Sequence, residues 1–497
     1  MTPFELPRNI IDQTVYEKAV SHLRNAGIRL PKFAELANPA NGFAGKAVEE
    51  NGVDGDSPHP ANLHRIHWYN DAEKSGLLET PDHFVLTQEV TGVAAPIIVA
   101  LGGHFPMIGA HKVLPAYACL AVRLISGQFD PGHHRAIWPS TGNYCRGGIA
   151  ISKILGCRGV AVLPEGMSQE RFDWLDQWVS NPSDIIRTPG SESNVKEIYD
   201  KCAELSAEPS NAILNQFSEF ANYLAHYSVT GKALEHVFSH LKNKNTDLTL
   251  AAFVAGTGSA GTLAAGDYLK EVQGTKIVAM EATECPTMLT NGYGEHNIQG
   301  IGDKHIPLIH NVMNTDFIAG VSDESCDRLS VLFNTDIGHD YLTKRCGLST
   351  EAVKNLSGLG LSGIGNVLAA IKTAKLLNLG ENEAVITVAT DSSALYKSER
   401  DHTEQDAFPH GFDAVAAGEV FAQHMRGLGC DNIQELNHQD RSRIFNLGYF
   451  TWVEQQGIAL EDFDKRRHQS FWKDLQNLLP IWDGMIDDFN RHTGVSN

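Results

Sequence analysis

Residues 250–262 read LAAFVAGTGSAGT, and this stretch decides the fold. Its apolar first half predicts a buried strand, and its glycine-rich second half predicts a turn that leads into a helix near Leu263. Similar short apolar runs lie at residues 136–138, 160–163, 276–280 and 385–389, with helical patterns between them. Strands that alternate with helices predict an α/β fold, in which helices cover both faces of a mostly parallel sheet. In such folds the ligand lies beyond the carboxyl ends of the strands.

The glycine-rich turn is suited to binding an anion, because backbone N–H groups at a helix N-terminus converge there. Gly256, Gly258 and Gly261 match G-x-G-x-x-G, and Glu281 follows twenty positions later, where a dinucleotide site places its ribose-binding acid. Three interpretations stay open at this point: a phosphate cradle, an NAD site and a turn that binds nothing. The turn lacks the G-K-[ST] ending of nucleotide triphosphatases, which argues against that class.

Composition narrows the class of protein. The chain has 497 residues and a formal net charge of −20, which disfavours binding to nucleic acid or to anionic lipid. Its eight cysteines are scattered without a C-x-x-C pair, so we expect reduced thiols. The sequence shows no secretory signal or long apolar segment, and we therefore expect a cytoplasmic location.

The two ends of the chain differ from its middle. Residues 1–90 are polar and rich in turn signals such as Pro31, Asn38-Pro39 and Asn41-Gly42, which predicts an irregular N-terminal wrapping segment. Residues 411–497 lack strand candidates and carry large apolar side chains at helical spacing, which predicts a helical C-terminal extension. Such an aromatic stripe is more typical of a core or subunit interface than of a cofactor site.

Two further motifs carry candidate chemistry. Gly109-Ala110-His111-Lys112 precedes an apolar helical stretch, and a lysine there has a poorly stabilised ammonium, which favours a nucleophilic amine. A reactive lysine together with a phosphate cradle points to pyridoxal phosphate, whose aldehyde and phosphate need those two sites. Taken alone, Lys112 is more typical of a solvated surface residue. The strand at residues 385–389 ends in TDSS, where a serine hydroxyl suits the ring nitrogen of that cofactor or simply forms a turn.

Together these motifs resemble the fold-type II pyridoxal phosphate enzymes, in particular the cysteine synthase and cystathionine β-synthase family. The resemblance covers about residues 90–397 and rests on the order of the motifs. It implies a two-lobed fold similar to the tryptophan synthase β subunit, with a large cofactor-binding domain (91–112 and 226–410) and a smaller mobile substrate domain (113–225). It also implies a homodimer.

The resemblance assigns roles residue by residue. Lys112 matches the Schiff-base lysine, and Ser392 matches the partner of the ring nitrogen in cystathionine β-synthases. The motif Gly-Ala-His-Lys looks like that of tryptophan synthase β, which places His111 near the phosphate. The remaining cofactor contacts implied are Asn143, Gly258, Ser259, Ala260, Gly261 and Thr262. Substrate contacts are expected from Ser140, Thr141, Gly142, Tyr144, Arg146, Gln216 and Gly300.

The sequence departs from the family after Asn143. The family continues Asn-Thr-Gly, whereas residues 144–148 read YCRGG and resemble an insertion of two residues beside the substrate. Arg146 is suited to a second carboxylate on the substrate or to bridging the lobes, and the two are equally favoured. Tyr144 is a general acid, an aromatic lid or, slightly favoured, a packing residue. Cys145 is a thiol acceptor or, more typically, inert. His236 and His240 stand four apart but lack a third zinc ligand, so we expect no metal.

The resemblance implies β-elimination or β-replacement on an amino acid, such as an O-activated serine, through an aminoacrylate intermediate. Lys112 would act as Schiff base and general base. Two other classes stay open: an NAD-linked oxidoreductase at Gly256–Gly261, and a non-catalytic regulatory subunit with the same fold. The expected partners are a small amino-acid substrate and a second copy of the chain, with no nucleic acid and no membrane.

Overall fold

The computed structural model describes residues 3–41, 52–140, 142–302 and 304–495. Its strands, in chain order, are β1 His83–Leu86, β2 Ile97–Leu101, β3 Arg135–Pro139, β4 Arg158–Pro164, β5 Ile185–Thr188, β6 Asn211–Ile213, β7 Thr249–Gly256, β8 Lys276–Ala282, β9 Phe317–Val321, β10 Glu383–Ala389 and β11 Ile433–Glu435. They form two sheets, and helices cover both of them. The predicted α/β class is confirmed.

The larger sheet has the strand order β1-β2-β10-β7-β8-β9-β11. Its five central strands are parallel, and only the edge strands β1 and β11 run antiparallel to their neighbours. The central strands are almost wholly buried, as parallel strands with helices on both faces must be. The smaller sheet is fully parallel and has the order β5-β4-β3-β6.

The helices are named in chain order within the described residues. They are α1 Gln13–Ala26, α2 Phe33–Ala37, α3 Gln88–Thr91, α4 Val113–Ile125, α5 Asn143–Ile154, α6 Gln169–Trp178, α7 Val195–Ser206, α8 Phe220–Ala225, α9 Gly231–Lys244, α10 Leu263–Gln273, α11 Thr287–Thr290, α12 Asp323–Asn334, α13 Asp336–Asp340, α14 Thr350–Ser357, α15 Leu361–Leu376, α16 Lys397–Ala407, α17 Ala414–Phe421, α18 His438–Tyr449, α19 Leu460–Lys465, α20 Gln469–Gln476 and α21 Leu478–Thr493. A π-helical turn at His226–Thr230 joins α8 to α9.

The prediction of an irregular segment at residues 1–90 is wrong for its first part. Asp12 caps α1 by accepting the N–H of Val15, and Gly27 ends the helix in the left-handed conformation. Tyr16, Ala19, Val20 and Leu23 form its buried face at helical spacing. The predicted turn at Asn41-Gly42 lies partly outside the described residues, because Gly42 is not among them.

The C-terminal extension is mostly helical, as predicted, with one exception. The short strand β11 adds to the edge of the larger sheet beside β9, so the expectation of no strand is wrong for those residues. The aromatic stripe belongs to the core as predicted, since Trp472, Trp482, Ile486 and Phe489 are all buried.

The two ends of the chain pack on each other. The backbone N–H and C=O of Leu30 bond to the side-chain amide of Asn490 at 2.9 and 2.8 Å. Asp483 accepts the first two N–H groups of α2, and the indole of Trp482 donates to the carbonyl of Pro7. The N-terminal segment and α21 therefore form one layer, which rests on α4.

All eight cysteines are free thiols. Among the described residues, no helix is both long and apolar enough to cross a membrane.

Candidate active site

The candidate site lies at the carboxyl ends of β2, β7 and β10, where the α/β pattern predicts a ligand. The N–H of His111 donates to the carbonyl of Thr390, which follows β10, at 3.2 Å. The Nζ of Lys112 donates to the hydroxyl of Ser259, in the turn after β7, at 3.2 Å. The structure thus brings together the lysine motif, the glycine-rich turn and the end of the late strand, which lie far apart in the sequence.

Lys112 stands directly before α4, and its side chain is buried. The backbone around Lys112 is tightly covered by α5, because a Cβ on Gly147 would come within 3.0 Å of the Lys112 carbonyl. A Cβ on Gly148 would lie 2.0 Å from the Trp138 ring. Gly147 therefore lets α5 approach the lysine segment, and Gly148 lets it approach Trp138 of β3, more closely than other residues would allow.

His111 is fully buried beside Lys112, and its Nε2 lies 3.2 Å from the hydroxyl of Thr262. The ring of His226 meets that of His111 edge to face at 5.1 Å. Burial and the charge of Lys112 hold the pKa of His111 well below its usual value, and burial does the same for His226. Both rings are consequently neutral near pH 7.

The glycine-rich turn packs tightly on two sides. A Cβ on Gly258 would lie 2.5 Å from the carbonyl of Gly300, and one on Gly261 would lie 2.1 Å from Oδ1 of Asn222. Ala260, between them, has a positive φ of 63°, which turns the backbone before α10 begins. The N–H groups of such a turn precede the first helical turn and have no intrahelical acceptor. The N–H of Gly261 donates to the Ser259 hydroxyl at 3.3 Å, so an anion bound there would replace this bond.

Asn222 supports the turn and was not singled out from the sequence. Its Nδ2 donates to the hydroxyl of Ser259 at 3.1 Å and to the carbonyl of Gln216 at 2.9 Å. Gln216 in turn donates to the hydroxyl of Ser140 at 3.3 Å. One chain of hydrogen bonds thus connects the glycine-rich turn to the Ser-Thr-Gly-Asn motif.

The Ser-Thr-Gly-Asn motif forms the turn between β3 and α5. The hydroxyl of Ser140 accepts the N–H of Gly142, whose φ is 147°. Thr141 lies outside the described residues. Asn143 begins α5, and its Nδ2 donates to Asp391 at 2.6 Å while its Oδ1 accepts from Arg146 at 3.0 Å.

The sequence did not reveal a buried polar cluster beside this turn. Asp391 accepts a hydrogen bond from the Tyr396 hydroxyl at 2.8 Å, and Arg171 donates to the same hydroxyl at 2.8 Å. Arg171 also lies 3.7 Å from the Asp391 carboxylate and bonds to Gln299. Burial raises the pKa of Asp391, and the charge of Arg171 opposes that shift. Ser392 follows Asp391 directly, at the start of the turn that carries Tyr396.

The residues after Asn143 form no inserted loop. They are the first turns of α5, which runs without a break from Asn143 to Ile154. The expected insertion of two residues therefore forms no loop beside the substrate.

The structure places Tyr144 in the core and not in a substrate pocket. Its hydroxyl donates to the carbonyl of Leu214 at 3.1 Å, and its ring meets Trp138 edge to face. This geometry contradicts the general-acid and lid interpretations and agrees with packing. Cys145 donates to the carbonyl of Gly142, and burial raises the pKa of its thiol to about 12, so the thiol is inert.

Two competing sites do not form. Both carboxylate oxygens of Glu281 accept backbone N–H groups of Met288 and Leu289, so this side chain caps α11 and is not open to a ribose. His236 contacts Tyr69, and His240 lies near Thr80. Across the described ranges, no three His, Cys, Asp or Glu side chains are grouped to hold a metal ion.

The residues present fit pyridoxal phosphate. That cofactor needs an amine for its aldehyde and a cradle of N–H donors for its phosphate. Lys112 and the turn at Ser259 provide the two within one hydrogen bond of each other. At Gly258 and Gly261 there is no space for a side chain, because an added Cβ would clash with Gly300 and Asn222 respectively.

Comparison with known proteins agrees with this site. The family described as pyridoxal-phosphate dependent enzyme matches residues 92–333. A cysteine synthase of Staphylococcus aureus is 30% identical over 307 residues, which cover 61% of this chain and 88% of the relative. The chain belongs to the cysteine synthase family of pyridoxal-phosphate-dependent enzymes. Its cofactor is therefore pyridoxal 5'-phosphate, and its fold is fold type II.

Other similarities extend over shorter parts or show the fold alone. A cystathionine beta-synthase of Saccharomyces cerevisiae is 30% identical over 195 residues, 37% of each chain. A hydrogen sulfide-producing enzyme of Fusobacterium nucleatum, solved with an alpha-aminoacrylate intermediate, is 25% identical with a TM-score of 0.51 and covers 61% of this chain and 83% of its own. An O-acetylserine dependent cystathionine beta-synthase from Helicobacter pylori is 23% identical with a TM-score of 0.52, over 64% and 94% of the two chains, and shares the fold.

Proposed function

We propose that this enzyme catalyses β-elimination or β-replacement on an amino acid, such as an O-activated serine or another β-substituted amino acid. The contact between Lys112 and Ser259 carries this proposal. It places a buried amine at the glycine-rich turn, which Asn222 and Gln216 connect to Ser140 of the Ser-Thr-Gly-Asn motif. The relatives named cysteine synthase and cystathionine beta-synthase support the same type of reaction.

Lys112 is the group that holds the cofactor and moves a proton. Pyridoxal phosphate, when bound, withdraws electrons from the substrate, so that the α-proton and then the β-substituent can leave. Lys112 would hold the cofactor through its Nζ, and the same amine, when it is not engaged by the cofactor, would accept the α-proton of the substrate. The Ser259 hydroxyl holds this amine in position, and the neutral ring of His111 adds no competing charge.

The turn between β3 and α5 binds the substrate carboxylate. The hydroxyl of Ser140 and the side-chain amide of Gln216 lie at this turn, and the N–H groups at the start of α5 favour an anion. Thr141 and Gly142 complete the segment. Gly300 sits across the glycine-rich turn at the entrance, where its close packing on Gly258 shapes the cofactor site.

Asn143 and Ser392 would contact the pyridine ring of the cofactor, away from its phosphate. Asn143 would contact the 3′-oxygen of the ring, and Ser392 offers a neutral hydroxyl to the ring nitrogen. The neighbouring carboxylate of Asp391 is held by Asn143 and Tyr396 and is turned away from that task. A neutral partner leaves the ring nitrogen largely unprotonated, which favours loss of a β-substituent over transamination.

Contacts between the two lobes exclude water from the site. Arg171, on α6 of the smaller lobe, bonds to Tyr396 of the larger lobe, and Glu170 accepts both the N–H and the hydroxyl of Ser398. A closed site protects reactive species from hydrolysis and therefore favours replacement over release as keto acid and ammonia. We also propose that the enzyme is a homodimer, with a large domain at residues 91–112 and 226–410 and a smaller one at residues 113–225.

The visible absorption spectrum tests the proposal. We expect a band of the bound cofactor above 400 nm that Lys112→Ala loses, and that shifts when O-acetyl-L-serine is added. Lys372→Ala is a matched control, because Lys372 is a buried lysine that bonds to Asp431 far from the cradle. This control should keep the band.

Two results would overturn the proposal. A protein that cannot be reconstituted with pyridoxal phosphate would remove its basis. A coloured protein whose spectrum no β-substituted amino acid changes would instead favour a non-catalytic, regulatory role.

A further inference from the structure

Arg146 is a buried cation, and the carboxylate whose charge acts on it, Asp391, also acts on Arg171. Its side chain is only 2% exposed, and its Nη1 donates to the neutral amide oxygen of Asn143 at 3.0 Å. Its Nε has no hydrogen-bond partner among the described residues. The guanidinium lies over the ring of Trp174 at 4.9 Å. Burial and the charge of Arg171 together lower the pKa of Arg146 to about 10.

Arg171 lies close to Arg146, but two carboxylates act on its positive charge. Its Nη2 lies near the carboxylate of Asp391, and the charge of the buried Glu192 also acts on it. It bonds to Ser168 on its own lobe and to Gln299 on the other. Its Nε, like that of Arg146, has no hydrogen-bond partner in the part of the chain that the structure describes.

Both guanidiniums border the turn that binds the substrate carboxylate. A Cβ on Gly142 would lie 2.7 Å from Nε of Arg171, so this arginine covers the middle of the turn. Arg146 stands one helical turn after Asn143, on the same face of α5. The two cations are therefore next to the position of the substrate.

We propose that Arg146, flanked by Arg171, forms a subsite for a second anionic group, a carboxylate or a phosphate, on the β-substituent of the amino-acid substrate. This subsite rests on the proposed function and names the substrate class within it. A guanidinium is suited to both groups, because its planar donors match two oxygens at once.

The alternative role, a bridge between the lobes, fits Arg171 and not Arg146. Arg171 reaches Gln299 and Tyr396 of the larger lobe. The hydrogen bond and the ring contact of Arg146 both stay within the smaller lobe, on α5 and α6. Burying a charge without a matched partner costs stability, and an anionic ligand would provide that partner.

Equilibrium binding to the holoenzyme tests the subsite. The probes are O-acetyl-L-serine, whose substituent is neutral, O-succinyl-L-serine, which carries a carboxylate, and O-phospho-L-serine. Each dissociation constant is read from the change in the visible band. We expect wild type to bind one anionic probe about tenfold or more tightly than the neutral one, as for a buried charge pair. The two anionic probes separate carboxylate from phosphate.

Variants then locate the effect. Arg146→Gln should bring the ratio of the dissociation constants for the neutral and the anionic probe close to one, so that the anionic preference is lost. Arg146→Lys keeps a charge and covers the case in which the first variant does not fold, and we expect it to retain part of the preference. Arg158→Gln is the control, because Arg158 pairs with Asp184 at the half-exposed edge of the smaller sheet.

Each other outcome decides against the subsite. Equal affinity of wild type for neutral and anionic probes overturns it and leaves the proposed function standing. An anionic preference that survives in Arg146→Gln overturns the assignment to this residue. A band that none of the probes changes overturns the proposed function, and the subsite falls with it.

Discussion

Replacing Gly261 by alanine places a methyl group in the space that Asn222 occupies. The new Cβ would lie 2.1 Å from Oδ1 and 2.7 Å from Cγ of Asn222. Ordinary contacts lie near 3.5–4 Å, so the Asn222 amide has to move by more than 1 Å. Asn222 is fully buried and has no solvent into which it can turn.

The loss can be worked out from the bonds that this movement breaks. The Nδ2 of Asn222 donates to Gln216 at 2.9 Å and to Ser259 at 3.1 Å. Each bond contributes about 1 kcal/mol, so losing both costs about 2 kcal/mol. Because Ser259 belongs to the cofactor cradle, we expect this cost in cofactor affinity, as a dissociation constant about 30-fold higher.

The assay is reconstitution of the apoenzyme with pyridoxal phosphate, followed by the visible band. A double-mutant cycle isolates the clash, because Asn222→Ala removes the same two bonds and also makes room for the methyl group. Gly261→Ala should therefore cost little when it is added to Asn222→Ala. If the two changes weaken binding additively, or if Gly261→Ala alone has no effect, the steric reasoning is refuted.

Three further predictions concern stability. Gly484→Ala should raise the free energy of unfolding by about 0.5–1 kcal/mol, because Gly484 lies inside α21 with nothing within 4 Å of an added Cβ. Urea unfolding measures this change, and a lower midpoint in the variant would contradict the prediction. Burial raises the pKa of Glu281 to about 7, whereas the unfolded chain releases this proton near pH 4.5. The free energy of unfolding should therefore fall by about 3 kcal/mol as the pH rises from 4.5 to 7. Glu281→Gln should flatten that slope, and an unchanged slope between pH 5 and 8 would assign it to other carboxyls. Trp452→Phe removes the indole bond to the buried carbonyl of Ile306, and thermal melting should show a loss of about 1–2 kcal/mol.

The sequence predicted three of the five central strands of the larger sheet, β7, β8 and β10, and missed the buried strands β2 and β9. The five apolar runs all became strands, and the structure extends most of them by one or two residues. The edge strands β1, β5, β6 and β11 were not predicted, because they are three or four residues long and at least partly exposed. Such short strands form because they bond to a neighbouring strand, and their own sequence carries no pattern that predicts this pairing.

Helix α1 was missed for a different reason. Its apolar residues follow helical spacing, but the turn signals that follow it, such as Pro31 and Asn38-Pro39, predicted irregular structure for the whole segment. Its stability comes from packing on α21, almost 470 residues away. A local pattern cannot report a contact at that distance.

The candidate site divides in the same way. Motifs whose residues are consecutive, such as Gly-Ala-His-Lys112 and the glycine-rich turn, could each be predicted from the sequence. Arg171 carried no motif, and its importance depends on α6 meeting Asp391 and Tyr396 from another lobe. The departure at residues 144–148 has a packing consequence that the sequence did not show, because Gly147 lets α5 pack closely on Lys112 and Gly148 lets it pack closely on Trp138.

The joined ends of the chain set the order in which the molecule can be made. The backbone of Leu30 bonds to the side chain of Asn490, and the first two N–H groups of α2 bond to Asp483. On the ribosome, the first forty residues must therefore wait for the last twenty before their packing is complete. Chaperone demand during synthesis should accordingly fall on the N-terminal segment. A circular permutant that joins the two ends and opens the chain at an exposed loop would remove this delay.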